Sequence, residues 1–190
     1  MLQDNVMTSI DTIRLILRKF EEIDAEPAYR NWAGRPEVQL NYGEPVYKTV
    51  KKTSELIRRY IRAYDKKYSY RWAVIERASG ECIGQIAYFL VDPGNEFAEI
   101  EYCIGTDYQG KGYATEACKA VIAYGFEKIG LHKVQICVRP SNMPSRKVIE
   151  KCGFRSEGTL RDYFRMADGH FEDRMYYSIL RDEYAGGEGQ

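Results

Sequence analysis

The stretch "IEYCIGTDYQGKGYATEACKAV", residues 100–121, changes character three times in little more than twenty positions. It opens as an apolar strand that ends at Gly105. It then crosses a short loop holding Gly110 and Gly112, and continues as a helix with Ala114, Ala117, Cys118 and Val121 on one side. Glycine is a poor residue with which to start a helix, so two of them there need a reason. The first amides of a helix lack intrahelical partners and carry the positive end of its dipole. Removing side chains from that spot lets an anion approach the bare backbone, and phosphate binds this geometry through N–H groups. Two familiar phosphate loops do not fit. The Walker pattern requires Ser or Thr after Gly-Lys, where this chain has Gly112, and the dinucleotide fingerprint requires a third glycine where it has Thr115. For an isolated pair of glycines a plain tight turn is the better account. The surrounding segments favour a phosphate-bearing cofactor.

Working outward, the period changes on both sides of this loop. "YRWAVIER" (70–77), "CIGQIAYFLV" (82–91) and "EFAEIEYCIG" (96–105) read as consecutive antiparallel strands joined at "ASGE" and "DPGN". Earlier, "IRLILRKF" (13–20) predicts a strand, and "DAEPAYRNWAG" (24–34) a helix with Asp24 as cap and Gly34 as stop. Leu56, Ile57, Tyr60, Ile61 and Tyr64 recur at helical spacing within 50–64, with a basic outer face. Beyond the loop, "HKVQICVRP" (132–140) predicts a strand and "PSRKVIEKCG" (144–153) a short helix. Residues 154–180 read as strands joined at Gly158–Thr159 and around "ADGH". The expected fold is α/β of the mixed α+β kind. It has a mostly antiparallel central sheet of about seven strands flanked by about four helices. Residues 1–11 are expected to be loose, 12–182 to form one domain, and 183–190 to fray.

Composition narrows the function classes. The 190 residues are 44% hydrophobic, and Lys+Arg and Asp+Glu balance at 28 each. That is an ordinary globular chain, with no excess charge that would argue for a nucleic-acid or membrane partner. The five cysteines show no C-x-x-C pair and lie in apolar segments, which reads as reduced buried thiols and a cytoplasmic compartment. His132 and His170 are far apart, so no metal is expected. The sixteen tyrosines suit a pocket or a homodimer surface, with amphipathic core packing the commoner outcome.

"QGKGYA" (109–114) matches the Gln/Arg-x-x-Gly-x-Gly/Ala signature of the GNAT N-acetyltransferases. It continues into "TEA" and "LHKVQICVRPSNMPSRKVIEKCGFRSEGTLRDYF". The run resembles the branch that includes the ribosomal-protein alanine N-acetyltransferases, in order from Ile13 to Leu180. The resemblance implies acetyl-CoA as co-substrate, bound where two parallel strands, 97–104 and 133–139, splay apart. The pantetheine arm would pair with the backbone of Tyr102, Cys103 and Ile104, as an added strand does. The pyrophosphate would take N–H groups of Gln109, Gly110, Lys111, Gly112, Tyr113 and Ala114, with the Lys111 side chain pointing outward. A strand amide near Cys103 would meet the thioester carbonyl. Asn142 and Ser145 match the family's Asn and Ser beside the thioester and pantetheine, and Ser145 can offer a proton to the departing thiolate, a place where many members of the family use a tyrosine. Equally, Asn142 or Ser141 caps the helix that follows, with Pro144 in its first turn. Tyr163 is a second candidate for the acid.

An acceptor amine must lose a proton, and Glu99 and Glu101 lie two apart on a predicted strand, hence on one face. Glu99 stands where the family often carries its glutamate and ranks first as catalytic base, while Glu101 replaces a small residue. The bland account is a solvated face or ion pairs with arginines such as Arg71. Cys103 has no histidine beside it in sequence, and direct transfer needs no nucleophile. Tyr29, Trp32, Tyr42 and Tyr47 are candidates to shape the acceptor pocket, with core packing the plainer account of Trp32. The expected activity is acetyl transfer to a primary amine, on a protein N-terminus or a small molecule. The alternative is an acyl-CoA sensor without turnover.

Overall fold

The computed structural model describes residues 2, 7–166 and 168–186. Eight strands take the hydrogen-bonded order β1-β2-β3-β4-β5-β6-β8-β7. They are β1 Ile10–Asp11, β2 Leu15–Arg18, β3 Tyr70–Glu76, β4 Cys82–Asp92, β5 Phe97–Ile104, β6 Lys133–Val138, β7 Arg155–Arg165 and β8 Phe171–Leu180. The helices are α1 Ala25–Ala28, α2 Pro36–Tyr42, α3 Val50–Ala63, α4 Tyr113–Tyr124, α5 Met143–Lys151 and α6 Arg181–Gly186. The pairs β1–β2, β2–β3, β3–β4, β6–β8 and β7–β8 are antiparallel, whereas β5 and β6 run parallel. Their registered pairing stops at Ile100↔Ile136, although β5 continues to Ile104 and β6 to Val138. Contacts gather into two compact units.

One unit comprises the described residues from Met7 to Phe89 together with Glu101–Val121. Cys82 through Tyr88 are buried without a break, as a strand covered on both faces must be. Phe20, Trp32, Leu56, Ile57, Ala73, Ile75 and Cys103 form one apolar cluster there. The predicted stripe of α3 supplies Leu56 and Ile57, each worth about 1.5–3 kcal/mol when fully buried. Thr49 caps that helix, accepting from Lys52 N–H at 3.2 Å. Tyr88, on β4, donates its hydroxyl to the Val121 carbonyl of α4 at 2.7 Å. A Cβ on Gly84 would lie 2.2 Å from the Cys103 carbonyl, so β4 and β5 approach as closely as they do only because this residue is glycine. Gly84→Ala is therefore expected to destabilise the fold by about 3 kcal/mol, read as a lowered urea midpoint.

The other unit holds Leu90–Ile100 and the chain from Ile122 onward. Val134, Ile136 and Val138 of β6 are buried and alternate with half-buried Lys133, Gln135 and Cys137. Ile149 of α5, Ile129, Leu131 and Ile179 add to that core.

Several expectations need correction. Gly158–Thr159 does not separate two strands. β7 passes through it, with a register shift between Ser156 and Gly158 and another between Leu160 and Phe164. A bulge absorbs an extra residue without ending a strand, and Gly158 (φ 153°) and Asp162 (φ 51°) take the backbone values involved. Helix α2 was not anticipated, although Pro36 in its first turn and Gly43 (φ 82°) after its end are ordinary helix punctuation. The segments expected to be loose or frayed contain β1 and the helix α6 up to Gly186. The rest of the expected frayed tail, residues 187–190, lies outside the described residues. Cys137 and Cys152 are only half-buried, unlike Cys82, Cys103 and Cys118, and no disulfide joins the cysteines.

Candidate functional site

The glycine loop lies between β5 and α4. After a single 3-10 turn at Thr106–Tyr108 the chain reaches Gln109, whose side-chain amide donates to the Ile104 carbonyl at 2.9 Å. Gly110 (φ 75°) and Gly112 (φ 83°) are both left-handed. The first intrahelical bond of α4 runs from Glu116 N–H to the Gly112 carbonyl at 3.1 Å, so the amides before it are those a helix leaves without an intrahelical acceptor. Arg14 of β2's approach holds this shape. Its Nη1 donates to the Lys111 carbonyl at 2.8 Å, and its Nε to Glu116 Oε2 at 2.7 Å. The Thr12 hydroxyl and the Arg14 backbone N–H both donate to Glu116 Oε1, at 2.7 and 2.8 Å. Partial burial works against the ionised Glu116, but these donors hold its carboxyl below the usual range. The Lys111 ammonium sits 5.1 Å from the Tyr108 ring centroid on the exposed side. Tyr113 stacks under Arg14 at 4.7 Å and donates its hydroxyl to Glu76. Neither Arg14 nor Glu116 was expected from the sequence as a brace for the loop. The "TEA" run that follows the glycines contains Glu116 and was the available signal.

The two β5 carboxylates have different surroundings. Glu101 Oε1 accepts from Arg71 Nη2 and from the Tyr42 hydroxyl, both at 2.6 Å. Arg71 is further held by Gln85 Oε1 at 2.5 Å and lies 4.3 Å from the Tyr60 ring centroid. Burial acts to lower the Arg71 guanidinium, but Tyr42, Tyr60 and Glu101 outweigh it and raise it. Burial pushes the Tyr42 phenol well above its ordinary value. The arginine suggested as an ion-pair partner is thus Glu101's. Glu99, only 2% exposed, belongs with Arg174, a residue the sequence did not single out. Arg174 Nη2 donates to Glu99 Oε1 at 2.7 Å, and Gln135 Nε2 donates to Oε2 at 2.8 Å. The Arg174 guanidinium lies 4.8 Å from the Tyr163 ring centroid and 4.6 Å from that of Tyr176. Burial, followed by the charge of Glu99, pushes the neighbouring Cys137 thiol up to about 12.

Asn142 is the N-cap of α5, its side-chain oxygen accepting from Ser145 N–H at 3.2 Å. Both residues are half-buried. Tyr163 is half exposed and accepts from Arg174 Nη1 at 2.8 Å. Of the proposed acceptor-pocket aromatics, Trp32 is fully buried core, Tyr42 joins the Glu101 cluster, Tyr29 is half-buried in the helical turns that follow α1, and Tyr47 is half-buried in the loop between α2 and α3. Cys103 is buried, which pushes its thiol well up and leaves no reactive thiolate. Tyr102 and Ile104 flank it on the part of β5 beyond the registered parallel pairing. Among the described residues no cluster of His, Cys, Asp and Glu has the makings of a metal site, and no helix is long and apolar enough to cross a membrane.

The family model for the Acetyltransferase (GNAT) domain matches residues 14–155. The uncharacterized N-acetyltransferase p20 of Bacillus licheniformis is 34% identical over 180 residues, covering 95% of this chain and 100% of that protein. The crystal structure of a GNAT-family acetyltransferase from Bacillus anthracis superposes with a TM-score of 0.79 at 29% identity, covering 92% of this chain and 99% of that one. Spermidine N-acetyltransferase from Vibrio cholerae, solved in complex with CoA and spermine, superposes with a TM-score of 0.78 at 25% identity, covering 92% and 99%.

Proposed function

The chain belongs to the GNAT acetyltransferase family, and from that premise we propose that it moves an acetyl group from acetyl-CoA directly to a primary amine. The observation that carries this reading is the Gln109–Ala114 loop. Two left-handed glycines open a helix whose leading amides lack intrahelical acceptors, and Arg14 grips the Lys111 carbonyl from the side. That arrangement suits a pyrophosphate, which would accept from successive backbone N–H groups. The CoA in the complex of the Vibrio cholerae neighbour supports acetyl-CoA as co-substrate, and the spermine in the same complex supports an amine acceptor.

In this reading Tyr102, Cys103 and Ile104 offer strand backbone to the pantetheine arm, and an amide near Cys103 stabilises the negative charge that develops on the thioester oxygen. The amine nitrogen attacks the thioester carbon, the C–S bond breaks, and the thiolate of CoA leaves. Ser145 supplies its proton, while the amine's proton passes to a carboxylate or to water. Asn142 fixes the start of α5, which places Ser145. Cys103 takes no covalent role, since burial keeps its thiol protonated.

The test is a thiol-release assay with acetyl-CoA and a panel of spermidine, free amino acids and peptides beginning with alanine or serine. Titration calorimetry of acetyl-CoA alone runs beside it. Binding with turnover on one class supports the enzyme and identifies its acceptor. Binding with no turnover on any supports an acyl-CoA sensor instead. Absence of binding defeats the phosphate-loop reading.

A further inference from the structure

The β5 carboxylates differ in how much of each is already engaged. Glu99 uses both oxygens on protein donors, Oε1 on Arg174 and Oε2 on Gln135, and is almost sealed from solvent. Glu101 uses one. Its Oε1 accepts from both Arg71 and Tyr42, among the described residues nothing donates to Oε2, and its side chain keeps 24% of its surface exposed. The grip on Oε1 is rigid. Arg71 is itself pinned by Gln85 and stacked on Tyr60, and Gln85 also donates to the Tyr42 hydroxyl. The buried Gln85 and half-buried Tyr42 thus leave the carboxylate little freedom to turn.

A carboxylate oxygen held in this way can only accept, so its ligand must donate, and an ammonium donates with the favourable sign of charge. We infer that Glu101 Oε2 is where the acceptor's amino group docks. Arg71 and Tyr42 are the positioning residues that aim it, so this chain selects cationic amines. The inference rests on the acetyltransferase reading and deepens it. Cys103, whose strand amide serves the thioester in that reading, lies two residues further along β5. It shares Glu101's face at a spacing of about 7 Å, within reach of an extended amine. Glu99 keeps a structural role, because a group with both oxygens paired has nothing to offer a substrate without first losing a partner.

A purely structural Arg71–Glu101 pair makes the opposite prediction, and steady-state kinetics with spermidine and with an alanine-terminated peptide separates the two. Glu101→Gln is expected to raise the KM for the amine by about tenfold to a hundredfold, the worth of a hydrogen bond to a charged group. The KM for acetyl-CoA stays at the wild-type value. Because Glu101→Gln leaves Arg71 buried without its counter-charge, the double variant Arg71→Met with Glu101→Gln serves as the folding control. It is expected to be more stable than the single variant and to show the same raised amine KM. Tyr42→Phe loosens Oε1 alone and raises the amine KM less than Glu101→Gln does. An amine KM unchanged in both Glu101 variants, with only the melting temperature lowered, overturns the inference. So does a wild-type protein that binds acetyl-CoA but transfers acetyl to no amine of the panel. A wild type that does not bind acetyl-CoA defeats the acetyltransferase reading, and this inference with it.

Discussion

Gly112→Val is expected to weaken acetyl-CoA binding by at least ~100-fold in a calorimetric titration while the chain stays folded. Gly112 has φ 83°, a region in which an L-residue pays about 1–2 kcal/mol and a β-branched one more. A Cβ there would also stand 3.4 Å from Arg14 Nη2, on the guanidinium that holds the Lys111 carbonyl. The loop can relieve that backbone strain by rotating its peptides, which turns N–H groups away from the proposed pyrophosphate seat. Each hydrogen bond to a charged group is worth about 1.5–3 kcal/mol, so losing two accounts for a factor of about 100 or more. Gly110→Ala serves as the comparison. Gly110 shares the left-handed conformation, but nothing lies within 4 Å of its added Cβ, so the milder loss expected there reports backbone conformation alone. Equal affinity for wild type and Gly112→Val would remove the loop from the binding site.

The largest loss of stability is expected from Arg174→Ala. Glu99 is 2% exposed, its side chain pairs with an Arg174 that is itself 13% exposed, and removing the guanidinium leaves a buried carboxylate, still held by Gln135, without its counter-charge. Breaking a buried pair on one side costs about 3–5 kcal/mol, whereas replacing both members together costs little. Chemical denaturation should therefore show Arg174→Ala far below wild type, and Arg174→Met combined with Glu99→Gln near it. A double variant as unstable as the single would mean that Arg174 contributes through its stacking on Tyr163 and Tyr176 and not through charge. The same substitution at an exposed pair such as Lys52–Glu55 is expected to cost a small fraction of this, since water already solvates both partners.

These cases mark where the sequence could be read and where it could not. The β4 run from Cys82 was legible as a strand between two turns, but not that it is buried without a break from Cys82 to Tyr88 or that Gln85 within it holds the Arg71–Tyr42 cluster. Glu99 and Glu101 could be placed two apart on one strand, because side-chain alternation has a period of two. Arg71 could be named as an ion-pair partner but not assigned to one carboxylate, and Arg174 could not be named at all, since they lie thirty and seventy-five residues away along the chain. Gly158 was misread as a junction because a strand end and a bulge use the same residue, and only the pairing partner distinguishes them.

What the sequence determined by itself is local. The periods that set strands and helices, the caps at Thr49 and Asn142, and the glycines that open α4 all act between residues a few positions apart. The tertiary structure decided which carboxylate is sealed and which keeps an oxygen to which no described residue donates, and that Arg14 and Glu116, 102 residues apart, brace the loop. Both depend on the sheet bringing distant strands together. The strength of a charge pair is set by the burial and distance that the folded chain imposes on it, neither of which is written in the order of the residues.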